Sequence, residues 1–256
     1  MDWINPTTFN HHIQLKKFQL GEKESILTDK FAVRSYVSKI IGEEYLVPIH
    51  GVHNSIDEVE FETDHNIVIK TTHGSGPEHI ELFPTSKTKQ EVLEKFNRAM
   101  GDQYNGVKWG EFQYECIVPR ILVEEKIGIN GVSPDDYKFH MFNSKSGCKW
   151  FMQINTNRQS ALKQSFYDEN FAFLEVEKSG LPNTGSAPPE RAELEKMLKI
   201  AKQLSVGLDY VRVDLYLVDQ NIYFGELTFT PACGFGEFSD LAVSEKFGSY
   251  FQNGGE

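Results

Sequence analysis

The sequence predicts an α+β fold built mainly from antiparallel sheets. Three observations carry this reading: strand-like runs outnumber amphipathic helices, several neighbouring strands are separated by hairpin-length gaps, and the pattern does not follow a doubly wound parallel sheet. The chain has 256 residues, of which 39% are hydrophobic, 12% aromatic and 25% charged, so it can bury a sizeable core and lacks the composition of a disordered protein.

The elements follow in order. Thr28-Asp29 precedes apolar Phe31, Val33, Val37, Ile40 and Ile41, and Gly42 comes next, which reads as a capped amphipathic helix with a glycine stop. Asn66 to Lys70 and His79 to Phe83 read as strands around a small-residue loop. A second helix runs from about Lys89 to Met100, with Val92, Leu93, Phe96 and Met100 at helical spacing. Arg120 to Glu125, Tyr137 to Asn143 and Lys149 to Asn155 read as further strands. Pro182 to Glu190 breaks the pattern as a surface loop, and after it Leu194, Met197, Leu198, Ala201 and Leu204 mark a third helix. Val211 to Val218 and Ile222 to Phe229 form a last pair of strands.

The net charge of −11, with no Lys/Arg-rich run, argues against a long nucleic-acid partner but leaves a nucleotide open, since a few lysines and backbone N–H groups hold phosphates locally. Cys116, Cys148 and Cys233 are far apart and lack a zinc spacing, which fits a reducing compartment. No apolar stretch approaches the roughly 20 residues needed to span a bilayer, and the N-terminal residues lack a leader pattern, so a cytoplasmic protein is expected.

The most informative segment is the last strand pair. Val211, Val213, Leu215 and Leu217 alternate with Arg212, Asp214 and Tyr216, giving one apolar and one charged face. If Asp219-Gln220-Asn221 is a three-residue turn with Asn221 left-handed, Val218 pairs with Ile222. The register then sets Asp214 opposite Glu226 and Arg212 opposite Thr228, with Cβ atoms roughly 4.5–5.5 Å apart. Facing carboxylates repel unless something positive sits between them. A hard divalent cation resolves the conflict; a solvated acidic face is the other reading.

Lys70 ends a strand and Gly74-Ser75-Gly76 forms a loop tip without a Walker pattern. Such a loop either brings backbone N–H groups close to an anion beside the lysine or is a plain hairpin. Glu124-Glu125 end an apolar strand, and Asp136 and Lys138 share the strand face opposite Tyr137 and Phe139.

Taken in order, Asp29-Lys30, VPIHGV, IVIKTTHGSG, RILVEE, DDYKF, RVDLY and YFGELTFTP resemble the ATP-grasp superfamily, specifically its TupA-like branch, over nearly the whole chain. The resemblance implies a nucleotide held between two α+β subdomains, with boundaries expected at 1–60 for a short N-terminal region, 61–127 for the lid subdomain and 128–256 for the C-terminal subdomain. It implies that Lys30 and Lys70 contact the phosphates, that His73, Gly74, Ser75 and Gly76 form the lid, and that Glu124, Glu125 and Ile127 line the adenine hinge. Asp136 would meet the ribose, and Lys138 the phosphate or acyl group. Asp214 and Glu226 would hold one or two Mg²⁺ ions, with Thr228 where the superfamily often has Asn, and Arg212 would neutralise the transferring phosphoryl group. Arg158 and Lys163 are expected to hold the acceptor carboxylate.

The implied chemistry is ATP-dependent ligation of a carboxylate to an amine through an acyl phosphate, with a uronic acid of a cell-surface polysaccharide or its precursor as the acid and an amino acid as the amine. Positioning and charge neutralisation suffice for the phosphoryl step. Two other classes compete: a sugar-phosphorylating or glycosyl transferase of the same pathway, and a nucleotide-binding module without turnover. A protein-kinase motif set is absent from the sequence.

Overall fold

The computed structural model describes residues 3–101, 105–128, 132–157 and 161–252. Strands β1 (Ile49–His53), β2 (Ile67–Thr71), β3 (Ile80–Leu82) and β4 (Ile121–Glu125) form an antiparallel sheet in the order β1-β4-β2-β3. Strands β5 (Asp136–Ser144), β6 (Gly147–Thr156), β7 (Lys163–Tyr167), β8 (Phe173–Leu174), β9 (Tyr210–Val218) and β10 (Asn221–Thr228) form a second, in the order β10-β9-β5-β6-β7-β8. Six α-helices are seen among the described residues: α1 (Phe9–Lys16), α2 (Glu22–Thr28), α3 (Val33–Ile41), α4 (Lys89–Gly101), α5 (Arg191–Leu204) and α6 (Leu241–Gln252).

Helix α3 begins where Asp29 accepts hydrogen bonds from the N–H groups of Phe31 and Ala32 at 2.8 and 3.1 Å, and stops at Gly42, whose φ of +113° suits glycine. Helix α4 buries Val92 and Phe96 against Ile69 and Ile121 of the smaller sheet and against Phe83 just after β3. Helices α3 and α5 bury Val33, Val37, Met197 and Leu204 against one face of the larger sheet, through Tyr137, Phe139, Val211 and Val213. Each such fully buried side chain contributes roughly 1.5–3 kcal/mol before entropy is counted. Part of the opposite face is covered by α1 and α6, where Phe9 and Phe247 meet Phe142, Phe151 and Tyr210.

That second face changes character along its strands. On β5 the residues Phe142, His140, Lys138 and Asp136 follow one another, from aromatic packing to charge, because alternate residues share a face. The residues before 60 are divided between the two sheets: α1 packs on α6, α3 packs on α5, and β1 pairs with β4.

The hairpin of β9 and β10 departs from the expected turn. Its loop has two residues, Asp219 and Gln220, both left-handed at φ +49° and +67°, and Asn221 pairs with Val218. Left alone, that register would offset Glu226 from Asp214 by one residue. A bulge between Phe224 and Glu226, at Gly225, restores the alignment, so Asp214 does face Glu226 and Arg212 does face Thr228. Helices α1, α2 and α6 and strands β1, β7 and β8 are additional to the elements expected from the sequence.

Candidate active site

A cleft of about 320 Å³ lies between the sheets. Val68 and Lys70 of β2, Ile80 and Leu82 of β3, and Val47 line one side, and Tyr216, Phe224 and Gly225 of the hairpin line the other. Glu124, Glu125, Lys126 and Ile127, with Ser133 and Pro134, complete the lining. The walls are mainly aliphatic and aromatic, which suits a flat, weakly polar ring.

Lys70, in the cleft lining, pairs with Glu124 at 2.6 Å, and Arg34 reaches the same carboxylate at 3.5 Å while donating to the carbonyl of Val47 at 2.9 Å. Lys30 donates to the carbonyl of Gly74, so it tethers the loop expected to act as a lid. Burial pulls the Lys30 ammonium down to about 8, with Glu226 opposing that shift. In the loop itself His73 is buried, its Nε2 lying 3.1 Å from the carbonyl of Ala99, whereas Ser75 and Gly76 are exposed. A Cβ at Gly74 would come within 2.0 Å of Nδ1 of His79, so the ring of His79 requires glycine there. Burial, and then His73, hold that imidazole down to about 4.

Lys138, Asp214 and Glu226 occupy consecutive strands β5, β9 and β10 at directly opposed positions. Arg212 joins them: Nε lies 2.6 Å from Oδ1 of Asp214, and Nη2 lies 2.7 Å from Oδ2 of Asp214, 2.8 Å from Oε1 of Glu226 and 3.0 Å from Oγ1 of Thr228. Lys138 donates to Oδ2 of Asp214 and lies 3.6 Å from Asp136. The positive charge demanded by the facing acids is thus already provided by Arg212 and Lys138. Burial pushes the Asp214 carboxyl up, opposed by Arg212 and Lys138. Desolvation also pushes Glu226 up, but Arg212, Lys138 and Lys30 outweigh it and hold Glu226 down to about 2. The Glu226 side chain is 41% exposed, against 2% for Asp214, so Glu226 is the open member of the pair.

Several expected site residues lie elsewhere. Asp136, expected at the ribose, is 0% exposed, lies 3.6 Å from Lys138 and is not part of the cleft lining, whereas Ser133 and Pro134 are. Lys163 pairs with Thr156, on the strand face opposite that of Gln164 and Asn155; alternation therefore directs it away from Lys138 and Asp214. Arg158 lies outside the described residues. The Thr228 hydroxyl accepts from Arg212 and donates to Glu226 at 3.0 Å, which leaves it little capacity as a metal ligand. Residues not foreseen are Arg34, which braces Glu124, and Asp29 with Arg120, paired at 3.0 Å beside the loop. An arginine following a cap and an arginine immediately before β4 were the available signals.

A family model described as TupA-like ATPgrasp matches residues 11–252. The chain belongs to the TupA-like ATP-grasp family. No curated protein matches it. Among solved structures, D-alanine–D-alanine ligase from Helicobacter pylori is 14% identical with a TM-score of 0.49, over 89% of this chain and 61% of that one. An ADP complex of N5-carboxyaminoimidazole ribonucleotide synthetase is 16% identical with a TM-score of 0.48, over 81% of this chain and 46% of that one. The same synthetase from Thermus thermophilus is 13% identical with a TM-score of 0.44, over 86% and 51%. The TupA-like chain therefore spans less than two thirds of the length of these structures. Among its described residues no helix is long and apolar enough to cross a membrane.

Proposed function

We propose that this TupA-like ATP-grasp chain is an ATP-dependent carboxylate–amine ligase. The observation that carries the reading is that one cleft has apolar walls from both sheets, Lys70 in its lining, and Gly225 in its wall next to the Asp214–Glu226 pair. The purine would lie between Val68, Leu82, Tyr216 and Phe224, against the Glu124 to Ile127 edge. Lys70 and Lys30 would meet the phosphates, and the exposed Ser75-Gly76 tip would close over them.

Magnesium fits the donor chemistry through Glu226, the open carboxylate, whose Oε1 alone is engaged by Arg212 and Thr228, with remaining positions for water and phosphate; both oxygens of the neighbouring Asp214 are engaged by Arg212 and Lys138, so Glu226 would be the principal ligand and Asp214 would flank it. When bound, the ion would neutralise charge on the phosphates.

This chain's own residues would do the rest. Arg212 and Lys138, buried and fixed by Asp214, present preorganised positive charge where the γ-phosphoryl group would be transferred. A substrate carboxylate oxygen attacks the γ-phosphorus, ADP leaves, and an amine that has lost its proton attacks the acyl carbon and expels phosphate. We take the acid to be a uronic acid of a cell-surface polysaccharide or its precursor, and the amine an amino acid. The test is a mass-spectrometric screen of uronic acids against amino acids with ADP release as readout. Joint dependence on an acid and an amine supports ligation; ADP release that needs no amine would instead indicate a transferase.

A further inference from the structure

Glu111 is a buried carboxylate that the chemistry above leaves unused. It is 6% exposed. Its Oε1 accepts from the Thr230 hydroxyl at 2.5 Å, and that hydroxyl accepts from Nε2 of Gln113 at 2.8 Å. Gln113 is 2% exposed, and its Oε1 is buried without a partner among the described residues. The order of donors fixes the amide. The hydroxyl gives its one proton to the carboxylate and must therefore receive from an NH2 group, which leaves the Gln113 oxygen as an acceptor in want of a donor.

Thr230 lies two residues beyond Thr228, whose hydroxyl joins Arg212 to Glu226, so the two Cα atoms are at most roughly 7 Å apart. The chain after Thr230 is held by α1: Asn10 donates to the carbonyls of Gly234 and Gly236 at 3.0 and 2.9 Å, and Gln14 to that of Cys233 at 3.2 Å. Lys17, also buried, donates to the carbonyl of Trp109 at 2.6 Å and lies 4.8 Å from the Phe235 ring centroid. Among the described residues no lysine, arginine or histidine forms an ion pair with Glu111, whereas the buried Glu81, Glu124 and Asp214 each have one. Trp109 and Phe235 are 62% and 58% exposed and meet edge to face at 5.8 Å, so an open aromatic pair borders these polar groups. Burial pushes the Glu111 carboxyl up, opposed by the Thr230 hydroxyl, Lys17 and the Cys233 thiol. A buried carboxylate without a paired cation, beside a buried amide oxygen without a donor, is costly until a donor-rich cation arrives.

We propose that Glu111, Gln113 and Thr230 form the amine subsite, in which the primary ammonium of the second substrate donates to Glu111 and to Oε1 of Gln113, and Glu111 takes its proton. This rests on the ligase reading. A primary ammonium brings three donors and a positive charge to a site that offers acceptors and has no paired cation. One N–H bond breaks as an O–H bond forms on Glu111. The freed nitrogen lone pair then forms the C–N bond while the acyl C–O bond to phosphate breaks, and the second proton leaves the nitrogen with the departing phosphate. The segment Thr228-Phe229-Thr230 sets this base beside the Arg212–Glu226 end of the site.

The test uses the full chain saturated with ADP and follows the Glu111 carboxyl by NMR while methylammonium and tetramethylammonium are titrated separately. Methylammonium should weaken proton binding at Glu111 about tenfold, one pKa unit, and tetramethylammonium, which has the charge but no N–H, should not. Glu111→Gln should weaken methylammonium binding about tenfold or more, and Gln113→Met about threefold or more, with ADP affinity within about twofold in both. With a uronic acid and ATP, Glu111→Gln should lose amide formation from an amino acid about a hundredfold and keep hydroxamate formation from hydroxylamine, which is uncharged near neutrality, within about tenfold. A wild-type Glu111 signal that methylammonium does not move, or that both cations move alike, overturns the subsite; equal loss with both nucleophiles overturns the base role. Failure of ADP to bind sinks the ligase reading instead, and the methylammonium titration of the nucleotide-free protein then decides the subsite alone.

Discussion

Asp214 faces Glu226 across β9 and β10 only because a bulge at Gly225 compensates a two-residue turn at Asp219-Gln220. One nitrogen of Arg212 then lies within hydrogen-bonding distance of both carboxylates, at 2.7 and 2.8 Å. The acid pair is therefore a product of backbone register as much as of residue type, and Gly225 is as much a part of the site as the acids.

Gly225 tests that dependence. A Cβ there would sit 3.1 Å from the Asp214 carbonyl and 3.1 Å from the Tyr216 ring, in the wall of the cleft. Gly225→Val is expected to destabilise the fold by about 1–3 kcal/mol and to weaken ATP binding. Chemical denaturation and nucleotide calorimetry measure the two effects; unchanged values in both would mean that the bulge does not set the site.

The two acids should separate on mutation. Asp214 is buried and faces both Arg212 and Lys138, so Asp214→Asn leaves two cations short of a counter-charge and should cost about 3 kcal/mol or more of stability. Glu226 is half-exposed, so Glu226→Gln should keep stability within about 1 kcal/mol while reducing turnover at least about a hundredfold. Denaturant unfolding beside an ADP-release assay distinguishes them, and equal destabilisation by both would contradict the assignment.

Much of this hairpin is legible in the sequence. Alternation of Val211, Val213 and Leu215 with Arg212 and Asp214 fixes the faces of β9, and the apolar periodicities of α4 and α5 are plain. The turn is not: Asp219 tolerates its left-handed conformation but Gln220 is not a residue that advertises one, and the opposing bulge hides the error by restoring the acid pair. Helix α1, FNHHIQLK, carries too weak an amphipathic pattern to stand out, and β1, IHGVH, interrupts its apolar residues with glycine and histidine. Glu111 is invisible because its partner, Thr230, comes from far away in the chain.

Lys30 predicts a pH dependence. Its pKa of about 8 lies below the ordinary 10.5, so between these values the unfolded chain holds the proton that the folded chain releases. The cost of burying this charge is thus fully present below about pH 8 and is relieved as pH rises toward 10.5. Nucleotide binding should respond in the opposite sense, weakening as pH rises through about 8, and Lys30→Arg should remove that decline. Calorimetric titrations of ADP between about pH 7 and 10 measure it; a parallel decline in Lys30→Arg would exclude Lys30 as the source.

His79 predicts an acid-labile loop. Its folded pKa of about 4 lies below the ordinary 6.5, so its contribution to stability is complete above 6.5 and is lost as pH falls toward 4. Amide protection factors, corrected for the intrinsic exchange rate, should fall over β2, the Gly74 loop and β3 across that window, and His79→Asn should flatten the response. Uniform protection down to pH 4 would contradict it.

The claim on which the account turns is that ATP occupies the cleft between the sheets. A crystal structure with a non-hydrolysable ATP analogue and Mg²⁺ tests it most directly. The account predicts the purine between Val68, Leu82, Tyr216 and Phe224, with phosphates reaching Lys70 and an ion on Glu226. A nucleotide bound elsewhere, or triphosphate oxygens remote from both Lys70 and Glu226, would contradict it.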